Sequence, residues 1–367
     1  MTKKQLAKKS QSSSKVTSQH SPEKVLELAL WNKISNAQHI VIVSHKDPDG
    51  DAIAGILALW HMLQQASAAG EIVAKREVIH MFNPGPKPVA FQFLPGFEEI
   101  EFDAGEIDWS PKGLVVVGMD YASWSRTGLA DHVAAQSLTD AYIVTIDHHP
   151  PRQEQRGAVV LVNPDASSCC EMLFYTVPIW NKEVATPGIE ITRDIATCLM
   201  TGIITDTGGF KHANTSQRTL KAAEALLLQG APMHQLMTLF TSIPREAIGI
   251  WQWAIGAIQF DEAGQFAYCL IPHAVLKQFQ SDSEALGGLS NVIATIPEAR
   301  FGLLLREEGT EQTAAGTISG SLRSTTEHNY DCSALAQKLG GGGHRLAAGF
   351  TGEGTLEQVL EKVRELA

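Results

Sequence analysis

The sequence predicts an α/β protein, with a parallel sheet wrapped by helices, a helical connector, and a smaller α/β domain with a mixed sheet. Three observations carry this expectation. Through the first two thirds of the chain, compact β-branched runs alternate with helical stretches, the pattern of strands covered on both faces by crossover helices. From Ser216 to about Ile258 the apolar residues shift to a helical spacing, through Leu220, Ala223 and Leu226, then Leu236 and Phe240, then Ile248, Trp251 and Ile255. Beyond them Phe260–Gln265 has the turn chemistry of a hairpin and opens a second set of strand-like runs. A chain of 367 residues that is 44% hydrophobic can fill two cores of ordinary size.

In order, an amphipathic helix is expected over Pro22–Ala37, then strands at Ile40–Ser44, Glu77–Phe82, Leu114–Met119, Tyr142–Ile146 and Val159–Val162. A helix from Asp51 to about Gln65 follows the first strand. Phe301–Leu305 and Ala315–Ser321 read as strands of the second domain, and Leu356, Val359, Leu360 and Val363 mark one face of a final helix. The expected division is a basic, disordered tail over 1–21, a first domain over 22–225, a connector over 226–254 and a second domain over 255–367.

The charge balance narrows the partners. A formal net charge of −11 has the wrong sign for gripping long duplex DNA through its phosphates, so any nucleic-acid partner should be short. No apolar segment follows the N-terminal lysines, and no run reaches the roughly 18 apolar residues of a membrane span, so the expected location is the cytoplasm. The five cysteines are odd in number, lack C-x-x-C spacing and read as reduced structural thiols.

Four clusters carry chemistry. In Ser44-His45-Lys46-Asp47-Pro48-Asp49-Gly50-Asp51 a strand ends and a helix begins, and Pro48 and Gly50 force a tight loop that can aim His45, Asp49 and Asp51 into one volume. Read alone, the same acids could be a helix cap and a turn. Leu114–Met119 delivers Asp120 at the end of a buried strand, and Tyr142–Ile146 delivers Asp147, His148 and His149. Asp206 stands where an apolar helix meets a glycine-rich turn. Imidazole with carboxylate is a usual ligand set for divalent transition metals, and this many donors exceeds what one ion needs. Two ions about 3.5 to 4 Å apart can clamp the attacking and leaving oxygens of a phosphoryl transfer. Histidine among the donors favours manganese, with magnesium or cobalt as alternatives.

These clusters, in this order, resemble the DHH phosphoesterase superfamily, whose motif stands here as Asp147-His148-His149. Its companion DHHA1 domain is indicated by Gly340-Gly341-Gly342-Gly343-His344 with Arg345–Phe350. The resemblance runs from about residue 35 to the C-terminus. It implies one metal on His45, Asp49 and Asp120, and another on Asp51, Asp120, His148 and Asp206, with Asp120 bridging. Asp147 would orient a histidine or water, and His149 would face the substrate phosphoryl group. The family's Ala-Ser-Ser segment is Ala166-Ser167-Ser168, where Ser168 would meet an anion, and Cys169 replaces the threonine expected next. Ser321 and Arg323 would bind a substrate phosphate, joined by backbone of Gly342 and Gly343 and by His344.

The two-domain layout is similar to the oligoribonucleases that trim very short RNAs, including pApA-type dinucleotides, to 5′-mononucleotides and dephosphorylate 3′-phosphoadenosine 5′-phosphate. The resemblance thus implies short single-stranded RNA or small phosphorylated nucleotides as partners, with a homodimer allowed. Cyclic-dinucleotide phosphodiesterase, RecJ-like exonuclease, inorganic pyrophosphatase and a non-catalytic RNA-binding regulator are the rival readings. Tyr121 and Trp124, just after Asp120, are larger than that subgroup leads one to expect. The open alternatives are that one stacks on a base or that both pack internally.

Overall fold

The computed structural model of the protein describes residues 22–367, apart from 111, 133–137, 139, 151–156, 158, 184–187, 243–244, 281–283, 287 and 309–315. The basic tail expected over 1–21 lies outside the described residues.

The first sheet contains β1 (His39–Val43), β2 (Ile79–Phe82), β3 (Ile100–Glu101), β4 (Leu114–Met119), β5 (Tyr142–Asp147) and β6 (Val159–Val162). All pairings are parallel, in the order β3-β2-β1-β4-β5-β6. The chain builds outward from β1 in one direction and from β4 in the other, so the order reverses between these neighbours. Loops leaving their carboxyl ends diverge there and open a crevice, the usual ligand position in an open α/β sheet. β3 is only two residues long and was not foreseen in the sequence.

Helices α1 (Pro22–Ser35), α2 (Gly50–Ala68), α3 (Leu129–His132), α4 (Cys169–Trp180), α5 (Arg193–Asp206), α6 (Gln217–Leu228), α7 (Met233–Thr241) and α8 (Ile248–Gly256) accompany and follow this sheet. α2 is apolar nearly all round because it is buried nearly all round, from Ala52 to Leu63. It packs antiparallel to α5. At one end the Gln65 side-chain amide exchanges two 3.0 Å hydrogen bonds with the Glu190 backbone. At the other, a Cβ on Gly50 would stand 2.4 Å from Thr205 Oγ1. This pairing brings the start of α2 against the end of α5, both acidic.

The second sheet is mixed, in the order β11-β12-β10-β9-β8-β7. Its strands are β7 (Gln259–Asp261), β8 (Phe266–Ile271), β9 (Gly302–Glu308), β10 (Thr317–Arg323), β11 (Gly342–His344) and β12 (Ala347–Glu353). β8 and β9 are parallel and the other neighbours antiparallel. Helices α9 (His273–Gln278), α10 (Leu289–Ile293), α11 (Cys332–Lys338) and α12 (Leu356–Leu366) cover it, and α12 buries the predicted face of Leu356, Val359, Leu360 and Val363. The expected hairpin is the β7–β8 connection. The glycine run is partly strand, and Gly341 packs where a Cβ would lie 2.1 Å from Gly349 O while Gly343 takes a φ of 140°. Glycine is needed there for close backbone approach, not for looseness.

Leu226 and Leu236 of α6 and α7 join the core of the first sheet, whereas Ile250 and Ala254 of α8 join an apolar cluster of the second. All five cysteines are buried and free, as expected. No helix among the described residues is long and apolar enough to cross a membrane.

Candidate active site

The β1 loop places the first donors. Lys46 N–H donates to Arg126 O at 2.8 Å and the Asn83 side chain donates to His45 O at 2.9 Å, fixing the loop from both sides. Asp49 serves two purposes. Its Oδ1 caps α2 by accepting from Ala52 N–H at 3.0 Å, and its Oδ2 lies 3.6 Å from His45 Nε2. The cap and ligand readings of this acid are therefore compatible.

Asp120 follows β4 with a φ of 51°, in the left-handed region that costs a non-glycine residue about 1 kcal/mol. Hydrogen bonds hold the turn, from Asp120 N–H to Ile146 O at 3.1 Å and from Ala122 N–H to Asp147 Oδ2 at 2.8 Å. The second oxygen of the buried Asp147 accepts from His149 N–H and meets His149 Nδ1, both at 2.9 Å. Asp147 thus fixes both the Asp120 turn and the His149 ring.

Asp51 accepts from Cys169 N–H at 2.6 Å and Cys170 N–H at 3.0 Å, the free donors at the start of α4. Gly202 permits this approach, since a Cβ there would stand 2.3 Å from Cys170 Sγ and 2.4 Å from Asp51 Oδ1. Asp206 ends α5, where the helix dipole disfavours a negative charge. Its pKa is pushed up to about 6, by burial first, against the favourable field of His148. Asp51 is raised well above the usual carboxylate range by burial and by the charges of Asp206 and Asp120. Against the desolvation of burial, His148 and His149 hold Asp120 below that range. His149 rises to about 9 because Asp120 and Asp147 outweigh its burial.

The donor atoms of His45, Asp49 and Asp120 lie within 4.8 Å of one another, as do those of Asp51, His148 and Asp206. Asp120 reaches both sets, with Oδ2 3.7 Å from His45 Nε2 and Oδ1 3.4 Å from His148 Nε2. His148 Nε2 is also 3.1 Å from Asp206 Oδ2. The buried Nδ1 of His45 has no hydrogen-bond partner among the described residues. Buried acids whose pKa values are raised for want of a counter-charge, grouped with imidazoles, fit divalent cations.

This cluster forms one wall of a cavity of about 1530 Å³ that the second domain closes. Opposite stand Arg323, at the end of β10, and Gly341–Gly343. The guanidinium donates to Leu322 O at 2.9 Å, burial lowers its pKa, and no carboxylate pairs with it among the described residues. Ser321 is set back from the cavity, its hydroxyl bonded to Ser290 Oγ at 3.3 Å. The side chain of His344 lies outside what the structure describes.

The sequence pattern of the DHH family N-terminal domain matches residues 39–203, and that of the DHHA1 domain matches 265–367. The chain is 30% identical over 331 residues to the bifunctional oligoribonuclease and PAP phosphatase NrnA of Thermus thermophilus, covering 89% of each protein. The chain belongs to the DHH family. NrnA of Bacillus subtilis is 24% identical over 324 residues, covering 88% of this chain and 92% of that one. Among solved structures, an exopolyphosphatase-related protein of Bacteroides fragilis shares the fold with a TM-score of 0.77 and 24% identity, over 93% of this chain and 96% of that one. Membership makes this DHH protein a hydrolase of phosphoric esters.

One sequence expectation needs correction, and one open alternative is resolved. Ser168 does not face the cavity. It is buried and caps α4 by accepting from Glu171 N–H at 3.0 Å. Neither Tyr121 nor Trp124 is placed to stack on a base. Tyr121 is fully buried against Gly118 with its hydroxyl 2.5 Å from Thr145 Oγ1, and Trp124 packs edge-on against it. Cys169, at the departure from the family's threonine, is buried with its thiol donating to Ile146 O at 3.6 Å.

The sequence also missed His212, which lines the cavity with its Nδ1 3.1 Å from Asp206 O. Its pKa is lowered, by burial first, with the charges of Arg323 and Lys211 acting in the same direction. A histidine six residues past a family acid carries no local signal of this position.

Proposed function

We propose that this DHH protein is a manganese-dependent hydrolase that cleaves short single-stranded RNA and pApA-type dinucleotides to 5′-mononucleotides. It would also remove the 3′-phosphate of 3′-phosphoadenosine 5′-phosphate. The observation that carries the reading is one cavity lined both by an acid–imidazole centre and by a half-buried guanidinium that has no carboxylate partner among the described residues. The names of the NrnA relatives, which align over nearly the whole chain, support the substrate class.

His45, Asp49 and Asp120 would hold one ion, and Asp51, Asp120, His148 and Asp206 the other. Bound there, two manganese ions supply Lewis acidity to the phosphoryl oxygens and acidify the nucleophilic water. Asp120 divides its oxygens between the two sets, and the turn held by Asp147 sets their direction. Asp147 also fixes the His149 ring through Nδ1, and His149 would face the substrate phosphoryl group. Arg323, His344 and the Gly342–Gly343 backbone would anchor the second phosphate, Arg323 by bidentate donation. A substrate with two phosphates one nucleoside apart then satisfies both walls.

The test is a manganese-supplemented assay of pApA, RNAs of a few nucleotides, 3′-phosphoadenosine 5′-phosphate, cyclic di-AMP and pyrophosphate. Release of AMP from pApA and from 3′-phosphoadenosine 5′-phosphate is expected. Turnover of pyrophosphate alone would refute the reading.

A further inference from the structure

The cavity is larger than two phosphates and a ribose require, and part of its wall is aromatic. Phe240, near the end of α7, and Trp251, in α8, both line it. Each is partly exposed and held from behind. The Phe240 ring packs against Phe91 and Phe93, with centroids 5.9 and 6.4 Å apart. Phe93 is itself 44% exposed. The Trp251 indole N–H donates to Ala285 O at 2.8 Å, which satisfies the polar edge of the ring and fixes its place. Asn291, also in the wall, adds a carboxamide able to both donate and accept.

The two rings belong to different halves of the molecule. Phe240 packs on the core of the first sheet and Trp251 on an apolar cluster of the second, and the chain crosses between them. A flat apolar group entering the cavity would meet aromatic surface from both sides of the domain junction. Neither ring takes part in the metal centre or the arginine site, yet both line the same cavity as those groups.

We infer that Phe240 and Trp251 form a nucleobase subsite, in which the base of the nucleoside held between the two phosphate positions stacks on aromatic surface with Asn291 at its edge. This rests on the hydrolase reading given above and adds to it a reason for preferring nucleotides over inorganic polyphosphates. The rings replace Tyr121 and Trp124 as the stacking residues, because those two are closed inside the first domain. Stacking on an aromatic side chain is tolerant of base identity, so the subsite should accept purines and pyrimidines with similar affinity.

The experiment compares KM for pApA with KM for its abasic counterpart, which keeps both phosphates and both riboses but carries no bases. It uses the full chain with manganese, as wild type, Phe240→Ala, Trp251→Ala and the ring-preserving Trp251→Phe. The wild-type ratio of abasic to pApA KM should be about tenfold or more. That ratio should collapse several-fold in each alanine variant and persist in Trp251→Phe. The ratio of the two KM values is unaffected by a general loss of folded protein, and Trp251→Phe retains the packing if the alanine variants do not fold. Cleavage of both substrates by the wild type with equal KM overturns the subsite alone. Failure of the wild type to cleave either overturns the hydrolase reading, and the subsite with it.

Discussion

The two sheets face one cavity with opposite chemistry. At the carboxyl ends of the parallel strands, buried carboxylates and imidazoles crowd together and raise the pKa values of Asp51 and Asp206. Across the cavity, the mixed sheet offers a guanidinium without a carboxylate partner among the described residues and a strand of glycines that exposes backbone. Neither wall is electrostatically content alone, because a buried charge without a partner is costly. The first calls for cations and the second for an anion, and a phosphorylated substrate with bound metal satisfies both. The lesson is a division of labour, in which the first domain performs the chemistry and the second measures the substrate.

Breaking the first wall should have the largest effect. Asp120→Ala removes the acid shared by both donor sets and should lower kcat on the order of 10³-fold or more, with the circular dichroism spectrum preserved. Activity above a few percent of wild type would refute the shared role. Breaking the second wall should look different. Arg323→Ala should raise KM for pApA about 10- to 100-fold with little change in kcat. An unchanged KM with reduced kcat would move Arg323 from measuring to chemistry.

Two milder changes sharpen the contrast. Gly202→Ala forces a methyl group against Cys170 Sγ and Asp51 Oδ1, so it should destabilise the fold by about 1–3 kcal/mol in denaturant melts and weaken manganese binding. Unchanged stability would show that α5 moves freely relative to Asp51. The smallest effect belongs to a pair on β2 and β3 that does not line the cavity. The hydrogen bond to Glu101 raises the His80 pKa, with the two side chains 2.9 Å apart. The stabilisation from a raised pKa is fully present below the unfolded value of about 6.5 and is lost as pH rises through the folded one. His80→Gln should therefore lower the melting temperature slightly at about pH 6 and hardly at all at about pH 9.5. The reverse order would contradict the pairing.

Much of the first wall was legible because each apolar run ended directly in its acid or histidine. Strand burial and the crossover order then had few ways to arrange those ends except side by side. Arg323 was legible only through the family resemblance, since the strand expected to stop at Ser321 runs on to Arg323. The strand within the glycine run was not legible, since sequence does not distinguish glycine chosen for positive φ from glycine chosen for close backbone approach. Tyr121 and Trp124 were ambiguous for a similar reason, because an aromatic after a strand can turn inward or outward. Only the fit against Gly118 and Thr145 decides. His212, Phe240 and Trp251 were out of reach, as their positions depend on how the two domains meet and not on any local pattern.

The central claim is that the strand-end acids and imidazoles form a two-ion centre joined by Asp120. Anomalous diffraction at the manganese edge from manganese-soaked crystals tests it most directly. Two peaks about 3.5 to 4 Å apart are predicted, one bounded by His45, Asp49 and Asp120, the other by Asp51, Asp120, His148 and Asp206. A single peak, or peaks away from Asp120, would contradict it.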